Sequence, residues 1–547
     1  MQRKFIELFA GCGGLSLGLE RAGFELLFAN EISPMACETY AYNLLGEDLH
    51  SLAIENKTSN LVKWITSKYG PNELEFRLVE NQQKAPTYIE GKGDLNELSE
   101  LKNIEGKLLV GSVIELNKYL DNNKKLVKEI RSRNIDLVSG GPPCQSFSVA
   151  GLRQHDNHRN TLPMDFAHFV ELVQPKIVLL ENVSGILKPF QLPDGKHYAW
   201  FEVARVFASK GYYPLCLHVN AKNACVAQNR PRFIMIAFRE DIFRTIRENQ
   251  NCETLDTVME EISDFYDKEK TSHGGDGGAA SSPSKDLKYY DIDKSDILFE
   301  TELFFGLNQC RENKKLHTAK EAIDDLRENL TGEKDKNGNQ YLSLIEKSFP
   351  KKYPVHKFTE IQNRKLRKNS LKVKMRFKLL QHLSEEIDPS KSGFIGLEIR
   401  RFLKDPISNS LSEEAVNFFR KKTFLNEEGK SSLTFNNRKT LENYLSRLAT
   451  KKHSLKALVA NKPAQAALSI PDDACHYHKG LPRTLSIREM ARIQSFPDWF
   501  VFRSKETTGG NQRKYEVPQY TQVGNAVPPL LGKALGELIM KALKFID

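Results

Sequence analysis

Phe5-Ile6-Glu7-Leu8-Phe9-Ala10-Gly11-Cys12-Gly13-Gly14 stands near the start of the chain, and its continuation to Glu31 decides the fold. The apolar run 5–9 reads as a short buried strand of a parallel sheet. Residues 10–14 form a glycine-rich turn. Leu15, Leu17, Leu19 and Ala22 then lie in a helix that Gly23 can stop. Residues 24–29 read as a second strand, closed by Asn30 and Glu31. Strand, tight turn, helix and strand make up the unit of a doubly wound α/β sheet.

The same alternation returns between about 106 and 240. Residues 135–139, 177–180, 215–219 and 233–238 read as strands, with helices at 165–173 and 200–209. The expectation is a doubly wound parallel sheet. Residues 50–105 are polar with weak periodicity and read as an insertion. Residues 271–286 are a flexible loop by their glycine and serine content. Between Lys351 and Lys378 eleven Lys or Arg stand against one acid, Glu360, so this stretch is the candidate polyanion surface. No pattern is readable from there to about 480. Order returns at Arg483 and ends in a helix over 530–545.

Composition narrows the class. The 547 residues are 40% hydrophobic and 27% charged, which suits a globular chain of three to four domains and excludes global disorder. Mean hydropathy is -0.48, and without a run of eighteen apolar residues no membrane span is expected. Met1-Gln2-Arg3-Lys4 leads into an apolar run too short and too acidic for a signal peptide. The net charge of +10 leaves room for a polyanionic partner. Eight dispersed cysteines without a C-x-x-C pair suggest reduced thiols in a cytosolic protein.

Four segments carry chemistry. Gly11 and Gly13 let the first turn approach a ligand closely. Glu31, about twenty residues on, can accept both ribose hydroxyls of an adenosine. The turn is not G-x-G-x-x-G, which favours a nucleoside over a dinucleotide. Next, Gly140-Gly141-Pro142-Pro143-Cys144-Gln145 follows a strand and sets a cysteine in an irregular loop, which suits a nucleophile. Cys12, Cys37, Cys216, Cys225, Cys252 and Cys310 read instead as buried, unreactive thiols. Third, Glu181-Asn182-Val183 ends an apolar strand, where an acid is costly unless used or satisfied. Fourth, Gln228-Asn229-Arg230-Pro231-Arg232 places two arginines on one face of an extended segment, suited to a carbonyl or a phosphate. Cys475-His476-Tyr477-His478 lacks the second ligand pair of a zinc site, so no metal is expected.

Together these segments resemble the bacterial-type DNA cytosine-C5 methyltransferases. Phe-Ala-Gly-Cys-Gly-Gly at 9–14 resembles the family's cofactor loop. Gly-Pro-Pro-Cys-Gln at 141–145 resembles its catalytic loop, Glu-Asn-Val at 181–183 its acid motif, and 228–232 its Q-x-R-x-R segment. Arg483 to Glu489, running on to Gln494-Ser495-Phe496-Pro497-Asp498, and Gln522-Val523-Gly524-Asn525-Ala526-Val527-Pro528-Pro529 resemble its two closing motifs. All six stand in the family's order.

The resemblance implies a Rossmann-like methyltransferase sheet using S-adenosyl-L-methionine, with a smaller target-recognition domain. The expected division is a catalytic domain at 1–326, with insertions near 50–105 and 245–320, recognition at 327–482, and a return at 483–547. It implies Cys144 as nucleophile, Glu181 as acid, and Arg232 and Arg230 holding the cytosine or nearby backbone. Phe9, Gly11, Gly13, Glu31, Ile32, Pro143, Leu162 and Asn525 would bind the cofactor. One departure is Gly111-Ser112-Val113, where the family often has Gly-Asp-Ile and its Asp reads the adenine. The substrate implied is duplex DNA with the target base flipped out. The enzyme would be a cytoplasmic, nucleoid-associated monomer, paired with a separately acting restriction endonuclease. A transfer-RNA cytosine-C5 methyltransferase and a catalytically silent DNA-binding regulator are the alternatives.

Overall fold

The computed structural model describes residues 2–82, 93–143, 162–192, 195–272, 287–294, 296–313, 315–327, 339–352, 360–384, 389–452, 455–466 and 474–547. Cys144 and most of the 271–286 loop lie outside them. Among the described residues one large sheet has nine strands. These are β1 (Arg3–Leu8), β2 (Phe24–Glu31), β3 (Val62–Trp64), β4 (Lys107–Val110), β5 (Leu137–Gly140), β6 (Ile177–Val183), β7 (Tyr212–Asn220), β8 (Pro231–Arg239) and β9 (Tyr290–Asp291). Their order is β9-β7-β8-β6-β5-β1-β2-β4-β3. The central strands carry continuous apolar runs such as Ile177-Val178-Leu179-Leu180, fully buried, because helices cover both faces.

The expectation of a parallel sheet needs one correction. β8 runs antiparallel to both β6 and β7, while the other pairings are parallel. Only residues 221–230 separate β7 from β8. A parallel return needs a crossover of a dozen residues or more, so this short connection turns the chain back. The insertion at 50–105 also contributes to the sheet, since it supplies edge strand β3, paired with β4.

Helix α1 (Gly14–Ala22) follows β1, α2 (Leu162–Val173) precedes β6, α3 (Ala199–Ser209) joins β6 to β7, and α4 (Pro529–Leu543) closes the chain. The two ends of the sequence meet where α4 packs on α1. A Cβ on Gly18 would stand 2.5 Å from the backbone of Gly532 and Lys533, so the helices touch through glycine. Gly18→Val is therefore expected to destabilise the protein by at least about 1–3 kcal/mol, the usual cost of overpacking. Thermal melting reads this as a lowered midpoint, and an unchanged midpoint would contradict the helix contact.

A second hydrophobic core forms around Met375, Leu379, Ile399, Phe402, Phe419 and Tyr444. The helix Gln340–Ser348 is not part of it, because Tyr341, Leu342 and Ile345 are buried in the main core. The second core thus starts near the helix Leu371–Leu383, some way past the boundary expected at 327.

Candidate active site

The chain winds outward from β1 in two directions, so β1 and β5 lie side by side at the point where strand order reverses. Open α/β sheets bind ligands in the crevice at such a point. Two loops leave the sheet there. Residues 9–13 follow β1, and Gly141-Pro142-Pro143 follows β5, whose Gly140 pairs with Leu8 on one side and Leu180 on the other.

The first loop is tightly bent. Phe9, Gly11 and Gly13 all have positive φ, at 55°, 57° and 90°. Gly13 caps α1, and a Cβ there would come within 2.4 Å of Leu44 and 2.9 Å of Tyr40. Glu31 fixes this loop from across the crevice. Its Oε2 accepts from the Gly11 amide at 2.8 Å and its Oε1 from the Ser33 amide at 2.8 Å. Each carboxylate oxygen has a second lone pair, so Glu31 can still receive two ribose hydroxyls. Burial raises its pKa against the pull of these amides.

One cleft is lined by Phe9, Gly11, Glu31, Ile32, Pro143 and Asn525, six of the eight residues expected to hold the cofactor. Gly13 is not in its wall and acts as the helix cap. Leu162 is also absent from the wall, and it packs against the hydrophobic core from the start of α2. The cleft also contains Glu7, Cys12, Gly141, Val517, Gln522 and Glu181. Gln522 was legible only as part of a motif, but its amide holds the wall together. It accepts from Thr39 Oγ1 at 2.6 Å and donates to the carbonyls of Met35 and Val517, both at 3.0 Å. Ser112, the departure from the family pattern, has another task. Its hydroxyl caps the helix Val113–Asn122 by accepting from the Ile114 amide.

Glu7 is a titratable wall residue that the sequence did not single out. It is 2% exposed, and Ser16 Oγ donates to its Oε2. Burial pushes its pKa up to about 8; the serine opposes this, and the charges of Glu31 and Glu20 add to it. The folded chain therefore keeps a proton that the unfolded chain releases near 4.5. The stability from this group is complete below the unfolded value and is lost as pH rises through about 8. Glu7→Gln should flatten the decline of melting temperature across that window, and a slope equal to the parent's would contradict the assignment.

The expected acid and arginines lie on and beside β6 and β8. Because β8 is antiparallel, its first residues lie at the carboxyl end of β6, with Arg232 opposite Val183 and Ile234 opposite Glu181. Residues two apart share a face. Arg232 Nε accordingly stands 2.6 Å from Glu181 Oε1, and both side chains are nearly buried. Asn182 donates to the Pro142 carbonyl at 3.1 Å, which ties the acid motif to the loop that leads to Cys144. Arg230 departs from its expected role. It is 1% exposed and donates to the carbonyls of Gly524 and Ala526 at 2.9 and 3.0 Å, so it braces the last motif.

Of the other expectations, some hold and some are corrected. Cys12 is buried, and desolvation raises its thiol to about 12, which leaves it unreactive. Cys225 and Cys310, read as separate reduced thiols, are joined in a disulfide, their Cα atoms 5.2 Å apart. Cys475 donates to the Phe377 carbonyl, and His476 is buried beside Glu489. In the basic stretch, Arg376 donates to the carbonyls of Leu448 and Ala449, Lys378 donates to that of Lys479, and Lys365 pairs with Glu506. Part of that charge therefore holds the fold. The segment from Arg483 does the same, with Arg483 forked on Glu489 at 2.8 Å and Arg488 donating to the Gln362 carbonyl at 3.0 Å.

The chain is similar to known proteins along nearly its whole length. The chain is 24% identical over 534 residues to "Type II methyltransferase M.DdeI" of Desulfomicrobium norvegicum, covering 98% of this chain and 88% of that one. It is 25% identical over 561 residues to "Type II methyltransferase M.AgeI" of Thalassovita gelatinovora, covering 99% and 100%. The solved S. pombe Dnmt2 methyltransferase aligns over 100% of both chains with 13% identity and a TM-score of 0.35. The family model described as C-5 cytosine-specific DNA methylase matches residues 3–64 and 114–541, nearly the whole chain. The chain therefore belongs to the C-5 cytosine-specific DNA methylases and is a DNA cytosine-5-methyltransferase.

Proposed function

We propose that this enzyme methylates carbon 5 of a cytosine within one short duplex DNA sequence and protects that sequence from a separately acting endonuclease. The observation that carries the reading is the meeting of two sites in one cleft. Glu31 and residues 9–12 line it together with Glu181, which Arg232 meets, and with Gly141 and Pro143 of the loop leading to Cys144. The relatives named as type II methyltransferases support the restriction–modification setting.

S-adenosylmethionine supplies an electrophilic methyl group when bound. Glu31 would hold its ribose, Phe9 and Ile32 would frame the adenosine, and Pro143 and Asn525 would close the wall. A cytosine must leave the duplex to reach this cleft, at a cost of a few kcal/mol. The Cys144 thiolate adds to carbon 6, and Glu181 delivers a proton to ring nitrogen 3 as the sulfur–carbon bond forms. Arg232 orients Glu181 and can donate to the base carbonyl. Carbon 5, now enamine-like, would be the atom that accepts the methyl group, with S-adenosylhomocysteine left as the co-product. Water would take the carbon 5 proton, the electron pair left behind would form the 5,6 double bond and expel the Cys144 thiolate, and ring nitrogen 3 would return its proton to Glu181.

The test is transfer of labelled methyl from S-adenosylmethionine to mixed-sequence duplex DNA and, separately, to transfer RNA. Incorporation into DNA alone is expected. Incorporation into transfer RNA alone would overturn the substrate assignment, and binding without any transfer would mark a silent regulator.

A further inference from the structure

Cys225, Cys310 and His317 come together away from the cleft, with a sulfur from each cysteine and a ring nitrogen within 4.8 Å of one another. All three residues are buried. His317 Nδ1 is buried without a hydrogen-bond partner, and Glu321 Oε1 stands 3.6 Å from it. Buried polar atoms are seldom left unpaired, so His317 Nδ1 lacks the partner such an atom normally has. The structure joins the two sulfurs. An enzyme whose nucleophile is a thiolate works where thiols stay reduced, and this step alone rests on the reading above.

We propose that the reduced chain binds one zinc ion through Cys225, Cys310 and His317, with water or Glu321 in the fourth position. A small thiol or dithiol supplies the two electrons and two protons that turn the disulfide into two thiols. Zinc then displaces both protons and leaves two thiolates bound. Two thiolates and an imidazole form the soft ligand set that zinc prefers, at about 2.3 Å to sulfur and about 2.0 Å to nitrogen. The sulfurs would then stand roughly 3.8 Å apart, the edge of a tetrahedron with those bonds.

The location gives the ion a structural task. Cys225 sits in the connection between β7 and β8, just before Arg230 and Arg232. Cys310 belongs to the helix Phe305–Glu312, and its amide donates to the Asn223 carbonyl at 2.9 Å. His317 precedes the helix Ala319–Ile323, whose first two amides donate to the carbonyls of Lys462 and Ala460. Zinc would staple the region after β9 to the loop that sets the arginines.

Full-length protein, purified without a histidine tag under a reductant that does not bind metal, is analysed for zinc by elemental mass spectrometry. About one zinc per chain is expected, falling at least tenfold in Cys310→Ser and His317→Ala but not in Cys475→Ser. Cobalt added to the reduced wild-type chain keeps the test independent of variant folding. It should show thiolate charge-transfer and tetrahedral ligand-field bands that Cys310→Ser lacks. Absence of both zinc and cobalt bands in the reduced wild type overturns the proposal, whether alkylation finds the pair linked or free. Metal retained in both variants also overturns it. Because zinc is counted without any methylation assay, its absence is distinguishable from failure of the proposed reaction.

Discussion

Cys144→Ala abolishes methyl transfer while DNA and cofactor binding persist. That is the expected result, with a single-turnover rate at least about 10³-fold below the parent's, because the proposed mechanism forms the bond to carbon 6 through this thiolate. Cys12, which lines the cleft, cannot replace it, since burial holds its thiol up at about 12. The loop anchor does not depend on the thiol. Asn182 still donates to the Pro142 carbonyl, and Gly140 still pairs with Leu8 and Leu180. Cofactor affinity measured by calorimetry should therefore stay within a few-fold of the parent. A variant that methylates at a tenth of the parent's rate or faster would remove Cys144 from the nucleophile's role.

Glu181→Gln carries the second large effect. Glutamine keeps the shape of the side chain beside Arg232, but it has no acidic proton to deliver to the ring nitrogen. Loss of a positioned acid costs about 10²–10⁴-fold in rate. The loss should fall on the rate at saturating DNA and cofactor, because Glu31 and the 9–13 loop are untouched. Arg232→Ala should reproduce part of it by releasing the carboxylate that its Nε holds at 2.6 Å. Weaker cofactor binding with an unchanged maximal rate would assign Glu181 to the cofactor wall instead.

The parts of the site legible in the sequence are those written in local chemistry. The strand at 5–9, its glycine turn and the acid at Glu31 depend on neighbours within thirty residues, and the structure brings Gly11 and Glu31 to 2.8 Å. Glu181 at the mouth of an apolar strand was equally plain. The roles that eluded the sequence depend on distant partners. The paired arginines looked alike, yet Arg232 meets Glu181 across an antiparallel pairing and Arg230 meets carbonyls nearly three hundred residues away. The reversal of β8 follows from a short connection, which residue pattern alone does not expose. Glu7 was hidden because an acid within an apolar strand reads as an interruption until its burial against Ser16 is seen. The bond between Cys225 and Cys310 spans 85 residues, a distance at which spacing carries no information. The second core escaped for a related reason, since its short helices assemble through scattered aromatics such as Phe402, Phe419, Phe424 and Tyr444.

The most direct test of the central claim is bisulfite sequencing of genomic DNA from a methylation-free host that expresses this enzyme, beside a host expressing Cys144→Ala. Cytosines at one short motif should be protected from conversion with the parent enzyme and converted with the variant, which would reveal the reaction and its target together. Complete conversion in both hosts, despite soluble enzyme that binds S-adenosylmethionine, would contradict the assignment of duplex DNA as substrate.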